Sequence, residues 1–214
     1  LPSQPNIAEA EAVYRALTYA EIKACPIYIV HLSAKESLPI VMNKKFAGQT
    51  IYGETCPHYL TLTNEEILSK GPIAKVGPPL REQKDSEALW DALADGTIDV
   101  IGSDSGGFTL ARKIKPETAD NIFEAPYGLN TIEFMVPVVW NYGVNQGKIT
   151  LPRLVQVLCE NPAKIFGLYP TKGSLLPGAD ADIVVWDPTR PHLVDGQHGN
   201  TDYSSFDGFH LLGM

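Results

Sequence analysis

Cysteine is scarce in this chain of 214 residues: Cys25, Cys56 and Cys159 are an odd number with no paired spacing. That argues against a disulfide framework and for a reducing, cytoplasmic compartment. No apolar run reaches the ~20 residues needed to cross a bilayer. The opening stretch, LPSQPNIAEAEAVYRAL, has no basic region leading into an apolar one, so it does not read as a secretory signal. Basic charge is also short, 17 Lys and Arg against 25 Asp and Glu, for a net charge of −8. A field of that sign repels phosphate backbones and argues against a nucleic-acid partner, but it does not repel a metal cation or a small neutral ring. No G-x-G-x-x-G or Walker sequence supports nucleotide binding. No G-x-S-x-G nucleophile elbow is present either, since Gly102-Ser103-Asp104-Ser105-Gly106 is centred on Asp104. There is no internal repeat and no low-complexity tract.

What is present is ordinary for a soluble globular protein, with 44% hydrophobic and 20% charged residues. The length allows one good-sized core, or a core with a small appendage. Leu1 is not a start methionine and the chain stops at HLLGM, inside an apolar stretch, so both ends are expected to be cuts through a longer protein. The apolar spacing of Ile7, Ala10, Val13, Leu17 and Ala20 predicts a helix over 6–25. PIYIVHLSA reads as a buried strand, 34–47 as a helix capped by Gly48, and QTIYGETC as a second strand. A short helix with Asn64 as N-cap follows over 64–70. EALWDALA over 87–94 is an amphipathic helix ending at Asp95-Gly96, and TIDVIGSD is a third strand. ITLPRLVQVLCENPAKIFGL predicts two helices broken at Asn161-Pro162. This alternation of helices with buried strands argues for a parallel α/β architecture. Three strands do not close a barrel, so a (β/α)8 parent would have only its later strands here. After Pro170 the pattern turns to glycine, proline and β-branched residues. The expected division is therefore 1–170 as the α/β part and 171–214 as the entry to a small β domain.

Several residues stand where chemistry is done. His31 ends the first strand and Asp104 the third, and active sites of parallel α/β folds lie at the carboxyl ends of strands. An imidazole and a carboxylate suit a divalent metal, and the carboxylate can also move a proton. The structural alternatives are a histidine bonded in a loop and a turn aspartate. His58, just past the second strand in GETCPHYL, reads as a third ligand, a substrate contact or a histidine donating to a carbonyl. Cys56 beside it reads as buried packing. VGPPLR, residues 76–81, is a stiff loop that can present backbone groups to a ligand. His192, His198 and His210 in the tail read as surface or packing residues.

Five strings in one collinear order carry a resemblance: IYIVHLSAKES (27–37), IYGETCPHYLTLT (51–63), VGPPLREQKDSEALWDAL (76–93), IDVIGSDSGGF (98–108) and ENPAKIFGLYPTKGSLLPGADADIVVWDP (160–188). Together they resemble the dihydropyrimidinase/hydantoinase branch of the cyclic amidohydrolases, with allantoinase and dihydroorotase as cousins. The resemblance implies the later part of a (β/α)8 TIM-like barrel followed by the start of a small β-sandwich. It also implies two Zn2+ ions per complete subunit, which activate water and polarise a ring carbonyl. The implied reaction opens a small cyclic amide or imide, of the dihydropyrimidine or hydantoin type. His31 then matches a metal ligand, and Asp104 a metal ligand that is also the catalytic proton shuttle. Gly77 falls where the branch usually has a serine, and Tyr127 near an asparagine, both contacting substrate through the backbone. His58 lies where relatives carry Gln or His.

The His-x-His pair, the carboxylated lysine and another histidine of the family's ligand set have no counterpart in this chain. The chain alone is therefore expected to be inactive and poorly stable, and the intact protein to be a homotetramer or homodimer. Ser103-Asp104-Ser105 replaces the usual Ser-Asp-His or Ser-Asp-Gln. A non-catalytic dihydropyrimidinase-like scaffold and an allantoinase or dihydroorotase cousin are the competing readings. The presence of both His31 and Asp104 favours an enzyme.

Overall fold

A computed structural model describes residues 4–116, 121–197 and 201–214 of the chain. Helix α1, Asn6–Ile22, buries Ala10, Val13, Leu17 and Ala20, the face set by its apolar spacing. It stops three residues short of the expected Cys25. Ala24 turns left-handed (φ 49°) and the Cys25 N–H bonds back to the Ala20 carbonyl. Strand β1, Ile27–Ile29, follows, then a 3-10 turn at Lys35–Ser37 and helix α2, Leu38–Phe46. Gly48 ends that segment with a positive φ of 94°. Strand β2 spans Ile51–Thr55 and runs straight into a short helix α3, Pro57–Thr61, which starts on a proline at its first position.

Helix α4 spans Glu65–Lys70, with Asn64 at its N-cap position but making no side-chain cap bond. Helix α5, Gln83–Asp95, begins a turn earlier than expected. Glu82 and Asp85 cap each other's backbone N–H groups reciprocally, and Gly96 closes the other end at φ 91°. Strand β3 is Val100–Ile101. Helix α6 is Leu110–Lys113 and helix α7 is Met135–Val139, which continues as a π-turn over Trp140–Val144. Helix α8, Leu151–Val155, a π-turn at Gln156–Glu160 and helix α9, Asn161–Ile165, run on without a break. The break expected at Asn161-Pro162 is therefore absent. The widened turn accommodates a residue that lacks an N–H and whose ring would clash with the preceding turn.

β1, β2 and β3 form one parallel sheet in that order, with Ile27 opposite Ile51 and Glu54 opposite Val100. All carboxyl ends lie along one edge, so the residues that follow each strand meet there. The apolar core beneath gathers Leu17, Leu89, Trp90, Leu93, Ile98, Val138 and Leu154. In the tail, strands β4 (Pro191–Leu193) and β5 (His210–Leu212) pair antiparallel, and Val194, Phe206 and Leu211 join that same core. Val184 and Val185, in the β-branched stretch IVV, are in no strand and are 81% and 90% exposed. His192 stacks on Phe134, His210 lies in β5, and His198 is outside the described residues. No described helix is long and apolar enough to cross a membrane.

Two carboxylates, buried Asp85 and partly buried Glu9, tie α1 to the edge where the strands end. Glu9 accepts from the N–H groups of Ser33 (3.0 Å) and Ala34 (2.9 Å), from the Ser37 hydroxyl (3.0 Å) and from Arg81 (3.4 Å). Asp85 accepts from the Asn6 amide at 2.7 Å and the Lys35 N–H at 3.0 Å while capping α5. Asp85→Ala is expected to cost about 1–3 kcal/mol by orphaning those donors. Exposed Lys84→Ala should change stability by no more than about 0.5 kcal/mol. Urea midpoints of the two variants check this, and equal losses would contradict it.

Candidate metal and catalytic centre

His31 follows β1 and Asp104 follows β3. Both adopt left-handed backbone, with φ of 44° and 45°, a conformation that non-glycine residues rarely hold without a local reason. Neither side chain hydrogen-bonds to a described residue, so both donors are uncommitted. Behind His31, Glu54 of β2 receives the His31 N–H at 3.4 Å and the Tyr28 hydroxyl at 2.7 Å. Burial first, and Glu54 second, push the Tyr28 hydroxyl pKa up, so this proton stays in place. The Glu54 carboxylate rests against Gly102, where a Cβ would come within 2.5 Å of it, so any larger residue there would push the carboxylate aside. Sequence reasoning missed Glu54. The available signal was a carboxylate within an otherwise buried strand. Thr131 fixes the Asp104 turn by donating its hydroxyl to the Ser103 carbonyl (2.6 Å) while its N–H reaches the Ser105 hydroxyl (3.3 Å). Asp104 itself is exposed at the edge. Its carboxyl pKa is raised by desolvation and held back by the nearby His31.

Cys56 and His58 stand beside Asp104. One ligand atom from each of the three lies within 4.8 Å of the others. His58 is fully buried, and neither ring nitrogen has a hydrogen-bond partner among the described residues. The carbonyl-bonded reading of His58 is therefore wrong. Burial, and secondarily the charge of His31, lower its pKa to about 3, so the ring is neutral. Cys56 is buried as expected, but its sulfur also faces this cluster. Burial first, then the charges of Glu54 and Asp104, push its thiol well up. His31 is not one of the cluster's three members, yet its charge acts on both His58 and Asp104.

Gly77 and Tyr127, far apart in sequence, touch. A Cβ on Gly77 would sit 2.9 Å from Tyr127 Cδ1. The Lys75 ammonium lies 4.2 Å from the centroid of the Tyr127 ring and donates to the carbonyls of Phe123 (2.9 Å) and Ala125 (2.6 Å). Buried Lys113 donates to the carbonyls of Lys75 (2.8 Å), Pro126 (2.9 Å) and Gly128 (2.7 Å), and burial followed by the charge of Lys75 lowers its pKa to about 8. An open groove of about 560 Å³ runs from α1 past His31 to Gly77 and Arg81. It does not include Asp104, His58 or Tyr127.

The model of the amidohydrolase family matches residues 21–209. The chain belongs to the amidohydrolase family. It is 39% identical to a D-hydantoinase of Ralstonia pickettii, over 99% of this chain and 47% of that protein. It is 37% identical to an L-hydantoinase of Paenarthrobacter aurescens, over 99% of this chain and 46% of that one. Among solved structures it superposes on a dihydropyrimidinase from Brevibacillus agri with a TM-score of 0.92 at 33% identity, covering 98% of this chain and 46% of that chain. It matches an L-hydantoinase from Arthrobacter aurescens with a TM-score of 0.93 at 36% identity, covering 99% and 47%. Its similarity thus falls in the hydantoinase and dihydropyrimidinase branch, and the chain spans about half the length of the relatives it matches.

For an amidohydrolase, the edge has donors that suit a divalent cation: an imidazole and a carboxylate, both free of other bonds. The two departures at Gly77 and Tyr127 are coupled through contact. A serine at 77 would push into the Tyr127 ring, whereas a smaller residue at 127 would leave room for it. Gly77→Ser is expected to destabilise by about 1 kcal/mol, and Tyr127→Asn in the same molecule to restore most of that. A double-mutant cycle in urea measures the coupling, and strictly additive effects would contradict it.

Proposed function

We propose that this chain forms the later part of the (β/α)8 barrel, over 1–170, and the start of the small β-sandwich, over 171–214, of a hydrolase that opens cyclic amides or imides of the hydantoin or dihydropyrimidine type at a binuclear metal centre. One observation carries the reading. In a chain of this family, His31 and Asp104 follow the two outer strands of one parallel sheet with uncommitted donors, close enough for the His31 charge to act on Asp104. The relatives' names, D- and L-hydantoinase and dihydropyrimidinase, support the substrate class.

His31 and Asp104 would hold the metal, with further ligands and a second ion, both Zn2+ in this reading, contributed by residues outside this chain. A bound cation supplies Lewis acidity toward the ring carbonyl and lowers the pKa of the attacking water. Asp104 takes the proton released in the attack on one carboxylate oxygen and delivers it to the departing ring nitrogen. Its upward-shifted pKa eases the first transfer, because the conjugate base of a weaker acid accepts a proton more readily near neutral pH. Glu54 fixes the backbone of His31, so the imidazole is aimed before a cation arrives. Backbone groups at Gly77 and Tyr127 orient the ring, and the Tyr127 side chain over Gly77 reshapes that wall relative to a serine and asparagine pair. In this reading the chain acts in the cytoplasm within a homotetramer or homodimer, and 1–214 alone is inactive. The two free donors favour a hydrolase over a scaffold.

Ring opening of hydantoin and of dihydrouracil, followed with the longest protein that carries these residues, tests the proposal. Asp104→Asn should lower kcat by about 100- to 10,000-fold with KM changed little. A variant that keeps its rate would overturn the assignment of Asp104.

A further inference from the structure

We propose that Cys56, His58 and Asp104 form a second site, sharing Asp104 with the proposed catalytic centre, for one soft or borderline divalent cation, such as Zn2+ or Cd2+. Thiolate, imidazole and carboxylate are the donor types such ions prefer, and three protein ligands leave one position open. The geometry is built by the chain's turn from β2 into α3. Cys56 is the extended N-cap of α3, Pro57 starts the helix, and His58 follows one residue on, so sulfur and imidazole are presented together. Asp104 arrives from the neighbouring strand end, and the three ligand atoms already lie within 4.8 Å of one another.

The second observation is His58 itself. It is completely buried, yet neither ring nitrogen has a partner among the described residues. Leaving a buried polar group unpaired is unfavourable, and a coordinate bond to one nitrogen would offset that cost. The Tyr59 ring, 4.2 Å from the imidazole centroid, limits where that ring can turn. Asp104 is the exposed member and marks the entrance. On binding, the Cys56 thiol gives its proton to solvent through that opening and the sulfur bonds the cation as thiolate. Asp104 is also the proton carrier of the proposed hydrolase. Occupancy would therefore inhibit ring opening, a consequence that rests on the hydrolase reading, whereas cation binding does not.

Co2+ titration of the purified chain reads the site directly, because a thiolate ligand gives a near-ultraviolet charge-transfer band that oxygen and nitrogen ligands do not. The expected result is a band that saturates at one Co2+ per chain and is displaced by Zn2+. Cys56→Ser should abolish it, while His58→Gln should weaken Co2+ binding tenfold or more. The double variant Cys25→Ser, Cys159→Ser should keep the full band, which separates a lost ligand from a lost fold. A wild-type chain without the band, or a Cys56→Ser chain that retains it, would overturn the proposal. Loss of ring-opening activity elsewhere leaves the band untouched, so the two readings fail separately.

Discussion

The parallel register of β1, β2 and β3 is the constraint on which everything at the site depends. Ile27 opposite Ile51 and Glu54 opposite Val100 fix the three strands so that their carboxyl ends share one edge. Hydrogen bonds along a parallel sheet are evenly spaced, so a slip of one residue would turn every side chain to the other face. It would also carry His31 away from Glu54 and separate Cys56 from Asp104. The core under the sheet, with Leu89, Trp90, Leu93 and Ile98, stabilises that register through burial. Glu9, Arg81 and Asp85 add direction to it. Their bonds to the Ser33, Ala34 and Lys35 N–H groups and to the Ser33 hydroxyl hold the segment just after His31 against α1 and α5.

Stability and function pull in opposite senses at this edge. His31 and Asp104 both hold a costly left-handed backbone, His58 is buried with no partner for either ring nitrogen among the described residues, and the Glu54 carboxylate is crowded against Gly102. Each of these is unfavourable in a chain selected for stability alone. Together they gather the imidazoles of His31 and His58 and the carboxylate of Asp104 at one edge of the sheet, beside the Cys56 thiol. An amidohydrolase needs that concentration of donors where charge develops during reaction.

Much of the fold was legible because its signals are local. The apolar face of α1 and the β-rich runs at β1 and β2 appear in residue spacing. The placement of His31 and Asp104 at strand ends followed from the strands. What was hidden depended on reciprocal or long-range contacts. The Glu82–Asp85 cap uses an acidic pair where serine or threonine is the usual signal, so α5 was read too short. No helix was expected over α3 or α7; α3 starts on a proline and α7 contains one near its N-terminus, where few N–H groups need partners. The π-turn before Asn161 absorbs a proline that local propensity treats as a stop. At the site, spacing within GETCPHYL could not reveal that Cys56 and His58 face Asp104. Nor could it show that Tyr127 covers Gly77, because neither pair is close in sequence.

The central claim is that the strand-end donors His31 and Asp104 hold a divalent metal. Crystals grown with Zn2+ and measured on both sides of the zinc absorption edge test it most directly. The account predicts an anomalous peak about 2.0–2.2 Å from a His31 ring nitrogen and an Asp104 carboxylate oxygen. Zinc-loaded crystals with no peak at the His31 ring, including crystals whose zinc sits only on Cys56, His58 and Asp104, would contradict it.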